Sequence, residues 1–314
     1  MKVQKFSIKI ASLLFIAIVG VASTAFAQED KRPTLGSNYV ECAGFIQVAK
    51  ISTDSKLIGA DEEKEKNIYS QGDYVYLNFG SSRGIKVGDR FSVVRPRGRV
   101  ESRWSKKGNL GFYVQEVGVV EVTNVRSDFS IAEVKSSCDN LLLGDLVQQV
   151  PNRSAIHFDG RPNFDIFAEP SGKSTGKILM ARDGQELITT RQVVYVDLGA
   201  EDNVKVGEYL TIFRPLGTGN IFDDLPTESL SARDEGFQSE EYRGGKFSNQ
   251  TARKSGDEAN GKVVSTKKAK RNRPANLRKV VGELVIINVK ERTATAVVVR
   301  NSGEIHTGDD VEVQ

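Results

Sequence analysis

The chain has 314 residues, with 44 Lys or Arg against 41 Asp or Glu and a formal charge of +3. Its length suits two ordinary domains, and a hydrophobic fraction of 39% with 29 Gly is low for a single large core. Two His and two Cys exclude a zinc protein built on His/Cys clusters, because such a site gathers about four ligands.

The first residues read as an export signal. Lys2, Lys5 and Lys9 form a positive start, and Ile10 to Val21 is a nearly unbroken apolar run. Ala25-Phe26-Ala27 follows as a small-x-small cleavage site. The run is short for a bilayer span of roughly 20 apolar residues, so cleavage after Ala27 is expected. Gln28 stands where a lipid-bearing Cys would be needed, and residues 28–38 read as a linker. The expected location is the periplasm or the exterior, with no integral membrane segment after cleavage.

Beyond the linker the chain repeats itself. Val75-Tyr76-Leu77-Asn78-Phe79-Gly80, Val87-Gly88-Asp89 and Arg95-Pro96 recur 119 residues later as Val194-Tyr195-Val196-Asp197-Leu198-Gly199, Val206-Gly207-Glu208 and Arg214-Pro215. Val117-Gly118, Ala132 and Gly144-Asp145-Leu146-Val147 recur 164 residues later as Val281-Gly282, Ala296 and Gly308-Asp309-Asp310-Val311. The two offsets differ because the second copy carries an insertion. One module spans residues 39–150 and the other 151–314.

Each copy predicts β-structure. Tyr74 to Phe79, Phe91 to Val94, Val117 to Val125, Val193 to Leu198, Val281 to Val289 and Thr295 to Val299 are strand-like and rich in β-branched residues. No long segment shows a helical stripe. Gly80, Gly88, Asp89, Gly144, Asp145, Gly199, Gly207, Gly308 and Asp309 read as turn positions, where an Asp side chain bonds nearby backbone N–H groups. The predicted fold class is all-β, with two tandem similar small β-barrel modules, the second interrupted by a long disordered loop.

An oxidising compartment allows Cys42 and Cys138 to pair, and a bridge between them is expected; two buried thiols are the alternative. Cys138 aligns with Ser302, so any bridge belongs to the first copy alone.

The insertion is poor in apolar residues, acidic first and basic later, and disorder is predicted over about 226–276. It reads either as a solvated spacer or as a basic arm toward anionic polymers, with Lys267, Lys268, Lys270, Arg271 and Arg273 as candidate contacts. Trp104, within Arg103-Trp104-Ser105-Lys106-Lys107, is a further candidate contact for glycan or a partner, against simple packing on the barrel.

Apparent catalytic motifs are weak. Pro170-Ser171-Gly172-Lys173-Ser174-Thr175 resembles the end of a phosphate loop, but Phe167 stands where its first Gly belongs. His157 and His306 lie in turn-like sequence without a nucleophile elbow. Asp223-Asp224 and Asp309-Asp310 lie in charged loops or turns. No catalytic residue, cofactor or metal is expected.

Gly72-Asp73-x-Val75-Tyr76-Leu77-Asn78-x-Gly80 and Gly84-Ile85-Lys86-Val87-Gly88-Asp89-x-Phe91-x-Val93 together resemble the C-terminal domain of flagellar assembly protein T. The same pattern is similar to the β-rich modules that accompany LysM domains in bacterial envelope proteins, and it continues through Leu110-Gly111, Val117-Gly118 and Gly144-Asp145. The resemblance implies a small β-barrel in an envelope assembly and carries no catalytic residues. The expected function is non-enzymatic binding or scaffolding, in assembly of an envelope or flagellum-like structure or in cell-wall contact. Its partners would be envelope proteins or cell-wall glycan rather than nucleic acid. The alternative is a hydrolase of cell-wall polymer.

The charge balance sharpens with this division. Removal of Lys2, Lys5 and Lys9 with the signal leaves a formally neutral chain. Arg243 to Lys279 holds twelve Lys or Arg against only Asp257 and Glu258, so the remainder is acidic.

Overall fold

The computed structural model describes residues 41–150, 165–182, 184–185, 187–215, 258–259, 262–263, 274 and 277–314. The signal and linker readings lie outside these residues, as does nearly all of the segment predicted to be disordered. The described part is all-β, with two single-turn 3-10 helices.

The first sheet contains β1 (Phe45–Gln47), β2 (Leu57–Ala60), β3 (Tyr74–Leu77), β4 (Arg90–Arg99), β5 (Phe112–Val125), β6 (Ser130–Ser137) and β7 (Leu146–Gln149). It runs β2-β3-β6-β5-β4-β7, with β1 added alongside β5. Its two ends meet at the bridge between Lys56 and Leu146, supported by Leu57 N–H to Asp145 O at 2.9 Å and Gly144 N–H to Leu57 O at 2.9 Å. The first barrel therefore closes through a short seam.

In the second copy, β8 is Thr175–Ala181, β9 Leu187–Ile188, β10 Val193–Val196 and β11 Tyr209–Pro215. Next come β12 (Glu258–Ala259), β13 (Lys262–Val263), β14 (Arg278–Val289), β15 (Ala294–Asn301), β16 (Ile305–His306) and β17 (Asp310–Val313). A closed barrel runs β10-β15-β14-β11-β17-β8. Its strands correspond one for one to β3-β6-β5-β4-β7-β2. The small β9–β16 pairing, Ile188 with Ile305, repeats the bridge between Tyr69 and Leu141. Strands β12 and β13 form a separate short ladder within the insertion.

Alternation along the strands fills each barrel. Val75, Leu77, Val93, Val117, Val120, Val122, Ala132, Val134 and Val147 form one buried cluster. Val194, Val196, Ile212, Val281, Leu284, Ile286, Ala296, Val298 and Val311 form the other. The pairings Val75–Ala132 and Val194–Ala296 occupy the same register position in the two barrels.

The repeated polar residues lock the turns. Arg95 Nε and Nη2 each donate to the Asp145 carboxylate at 2.8 Å, and Nη2 also donates to Asn140 O at 2.9 Å. The Leu142 N–H donates to the same carboxylate at 2.9 Å. In the second barrel Arg214 grips Asp309 at 2.6 and 2.8 Å and donates to Glu304 O at 2.6 Å, while the His306 N–H donates to Asp309 at 2.8 Å. Every partner keeps its repeat offset. Hydrogen bonding to these carboxylates holds both guanidinium groups above their ordinary pKa. Each clasp ties the strand that carries Arg-Pro, within β4 and at the end of β11, to the turn entering the last strand, across the barrel rim. Gly144 and Gly308 precede the aspartates at φ 93° and 89°, a backbone region that disfavours a side chain.

Gly80 and Gly199 serve differently. Their backbone is extended, but a Cβ would lie 2.1 Å from Arg126 O and 2.5 Å from Glu291 O, respectively. Beyond Gly88, Asp89 accepts from Lys86 N–H at 2.9 Å; beyond Gly207, Glu208 accepts from Lys205 N–H at 3.0 Å. The Asp and Glu side chains thus stabilise backbone turns.

The clasp predicts matched losses from either copy. Asp145→Ala and Asp309→Ala should each lower unfolding free energy by about 2–3 kcal/mol, from loss of charge-assisted hydrogen bonds at a buried carboxylate. Urea melts of the two variants check this, and a loss in one copy but not the other would show that the clasps are not equivalent.

Candidate functional site

The two barrels share an apolar junction. Ala43, Ile46 and Leu110 from the first copy pack with Leu179, Val193, Tyr195, Val285, Ile287 and Val297 from the second. Tyr113, Val100, Met180, Tyr209 and Val299 border this cluster. Fully burying one such aliphatic side chain contributes roughly 1.5–3 kcal/mol. A net hydrogen bond contributes about 1 kcal/mol. Apolar burial therefore supplies most of the adhesion, and the polar contacts set the register.

Those polar contacts converge on β1 and the residues before it. The Tyr195 hydroxyl donates to Ala43 O at 2.6 Å, and the Thr295 hydroxyl to Gly44 O at 3.1 Å. The Thr293 hydroxyl donates to Ile46 O at 2.7 Å. On its other side β1 pairs with β5 through Phe45–Val114, Ile46–Tyr113 and Gln47–Phe112. The Gly44 N–H donates to the buried Glu116 carboxylate at 2.9 Å. Burial pushes the Tyr195 hydroxyl far above its ordinary pKa, so it stays a neutral donor. Its ring meets Tyr113 edge-on at 5.2 Å between centroids.

The loop between β4 and β5 extends the junction. Lys107 Nζ reaches Asp202 at 2.5 Å and Glu201 at 2.6 Å, and Arg292 donates to Asn109 O at 2.6 Å. Trp104 is half-buried, with its ring against Gly308: a Cβ there would lie 2.6 Å from Trp104 Cδ2. The Arg103 guanidinium sits 4.4 Å from the ring centroid. Trp104 thus contacts the second barrel of its own chain.

Cys42 and Cys138 form a disulfide with Cα atoms 5.6 Å apart, tying the segment that leads into β1 to the end of β6. Beside it lies a cleft of about 340 Å³ lined by Arg97, Tyr113, Gln115, Glu116 and Arg182 with the two half-cystines. Arg97 donates to Gln115 at 2.6 Å, Gln115 donates to Asp139 at 3.0 Å, and Arg182 donates to Cys42 O at 3.4 Å. The cleft's polar groups are thus engaged in holding its walls.

The turn residues Gly80, Gly88, Asp89, Gly144, Asp145, Gly199, Gly207, Gly308 and Asp309 spread over the barrel rims and do not converge on one site. Lys267, Lys268, Lys270, Arg271 and Arg273 lie outside the described residues, as do His157 and Asp223-Asp224. The phosphate-loop-like stretch is followed by strand β8. There Ser171 donates to Val313 O at 2.5 Å and Gly172 N–H to Glu312 at 3.1 Å, while Lys173 Nζ is turned to Gln314 O. Burial raises the pKa of Glu312, but the Arg278 guanidinium at 2.5 Å and two backbone N–H groups outweigh it and hold the carboxyl below its ordinary value. Asp309 is held by Arg214 and Asp310 pairs with Lys177 at 2.8 Å. Among the described residues no His, Cys, Asp and Glu group has the spacing of a metal site.

Sequence reasoning did not identify β1, Tyr195 or the junction, although a signal is present. All of β10 and unbroken runs within β14 and β15 are buried on both faces. Their counterparts β3 and β6 alternate. A strand that is apolar on both faces is covered on both faces. Val285 and Val297 replace Glu121 and Glu133 at the corresponding paired positions.

The disulfide closes a loop of 96 residues and pins the segment that both barrels grip. Cys42→Ser with Cys138→Ser should lower stability by about 4.7 kcal/mol on the loop-entropy scale. It should also raise hydrogen exchange at 43–47 more than in the barrel interiors. Uniform exchange changes across the chain would contradict the pinning role.

No curated protein matches the chain. Residues 72–149, which take in β3 to β7, match the family model described as flagellar assembly protein T, C-terminal domain. Over β3 to β7 the first barrel is therefore similar to the C-terminal domain of flagellar assembly protein T, the resemblance its Gly-Asp turns and strand spacing led one to expect.

Proposed function

We propose that the protein is an exported, non-enzymatic scaffold of the bacterial envelope, in which a fixed pair of β-barrels presents outer surfaces to proteins of a flagellar or flagellum-like assembly. The match of the first barrel to a flagellar assembly domain carries this reading. Two features support it. The Cys42–Cys138 disulfide suits an oxidising compartment. The acidic, basic and hydroxyl groups most suggestive of chemistry are engaged in the clasps and the junction. The lysine-led apolar start with its Ala25-Phe26-Ala27 site reads as an export signal and supports the same compartment, and the basic residues of the insertion offer a further contact to anionic envelope polymers.

Fractionation and cross-linking of the tagged full chain in its source cells test the proposal. The expected result is recovery from the osmotic-shock fraction, cross-linked to envelope assembly proteins, with no release of soluble fragments from purified peptidoglycan. Cytosolic recovery, or peptidoglycan cleavage by the purified chain, would overturn it.

A further inference from the structure

The junction inside the chain is asymmetric. One barrel contributes the outer face of β8, β10, β15 and β14 with Tyr209 of β11, and the other contributes the end of its β5 with the strand lying across it. Because the chain is a repeat, each barrel also owns a counterpart of the half that it does not use. The first barrel's counterpart face consists of β2, β3 and β6. Tyr76 there corresponds to Tyr195, Tyr74 to Val193, Ile58 to Leu179, and Phe129 and Ile131 to Thr293 and Thr295.

The apolar side chains of this face are exposed. Ile58 is 49%, Tyr74 42% and Phe129 37% exposed, and Tyr76 and Phe129 lie 6.1 Å apart between ring centroids. The second barrel carries the counterpart of the docking end. Leu277 corresponds to Tyr113, the residue that packs on Tyr195. Extending the β1–β5 register places Ala43 opposite Glu116. The Ile166 carbonyl accepts from the Val280 N–H at 3.0 Å, where Val280 corresponds to Glu116. The segment around Ile166 thus crosses β14 where the chain before β1 crosses β5. Phe167 is 75% and Leu277 39% exposed at this end.

The geometry points to a second copy of this chain as the partner of both surfaces, in a head-to-tail contact that repeats the internal junction. Leu277 and Phe167 of one copy sit against Tyr76, Tyr74 and Ile58 of the next. The two surfaces differ and lie on different barrels, so the contact is heterologous and extends into chains or rings instead of stopping at a dimer. The other half of the receiving face limits its strength. Arg90, Glu121, Glu133 and Lys135 stand where the internal junction has Tyr209, Val285, Val297 and Val299. The pairs Arg90–Glu121 at 3.9 Å and Lys135–Glu133 at 2.7 Å keep that half solvated. The contact is therefore smaller and reversible.

Sedimentation velocity of the full mature chain, from roughly 1 µM to 1 mM, tests this across the range of weak association. Wild type should shift from monomer to species larger than a dimer. A receiving-face variant, Ile58→Arg with Tyr74→Arg, and a docking-end variant, Phe167→Asp with Leu277→Asp, should each stay monomeric. All four side chains are exposed, and unchanged melting temperatures confirm folding. An equimolar mixture of the two variants should form a one-to-one dimer and nothing larger, because each retains one intact half. A monomeric wild type at the highest concentration would overturn the proposal, as would unaltered assembly in either variant or a mixture that stays monomeric.

Discussion

A strand with one bare edge leaves a row of backbone polar groups that need partners. Strand β1 and the two residues before it meet that constraint by serving both barrels. One edge pairs with β5, and the carbonyls of Ala43, Gly44 and Ile46 take hydroxyls from Tyr195, Thr295 and Thr293. Hydroxyls suit the task because they rotate to meet a carbonyl and leave methyl or ring surface for packing. The aliphatic cluster around them supplies adhesion, and the Cys42–Cys138 bridge fixes where the strand begins.

The two barrels are built alike and used differently. Their rims carry the same Arg–Asp clasp, down to the carbonyl that takes the spare guanidinium hydrogen. Their outer faces diverge where the junction requires it. Glu121 and Glu133 keep the first barrel's face wet, while Val285 and Val297 let the second barrel bury its own. Divergence after duplication thus made one face a permanent interface and left the other half apolar and half charged.

The insertion occupies a telling position. In the first barrel the connection between β4 and β5 carries Trp104, Lys107 and Asn109 onto the second barrel. The insertion joins the corresponding strands, β11 and β14. The second copy therefore carries its extra length where its twin makes contacts.

Local features were legible in the sequence. The Gly-Asp turns, the repeated Arg-Pro pairs and the two repeat offsets are determined by residues close together in the chain or repeated at fixed spacing, and they map onto turns and clasps. The cysteine pairing followed from there being only two. The junction was harder to see because it joins residues about 150 to 250 apart, such as Ala43 with Tyr195 and Gly44 with Thr295. Strand β1 is only three residues long, too short for a period to show. Trp104 among cations read either as an outside contact or as packing on the barrel, and only the folded chain brings Gly308 of the second barrel beneath its ring.

The central claim is that the two barrels move as one body because both grip β1. Electron–electron distance measurements between spin labels at exposed Lys64 and Lys205, one on each barrel, test it most directly. A single narrow distance distribution in the oxidised protein is the predicted result. A broad distribution, with both barrels folded, would contradict it.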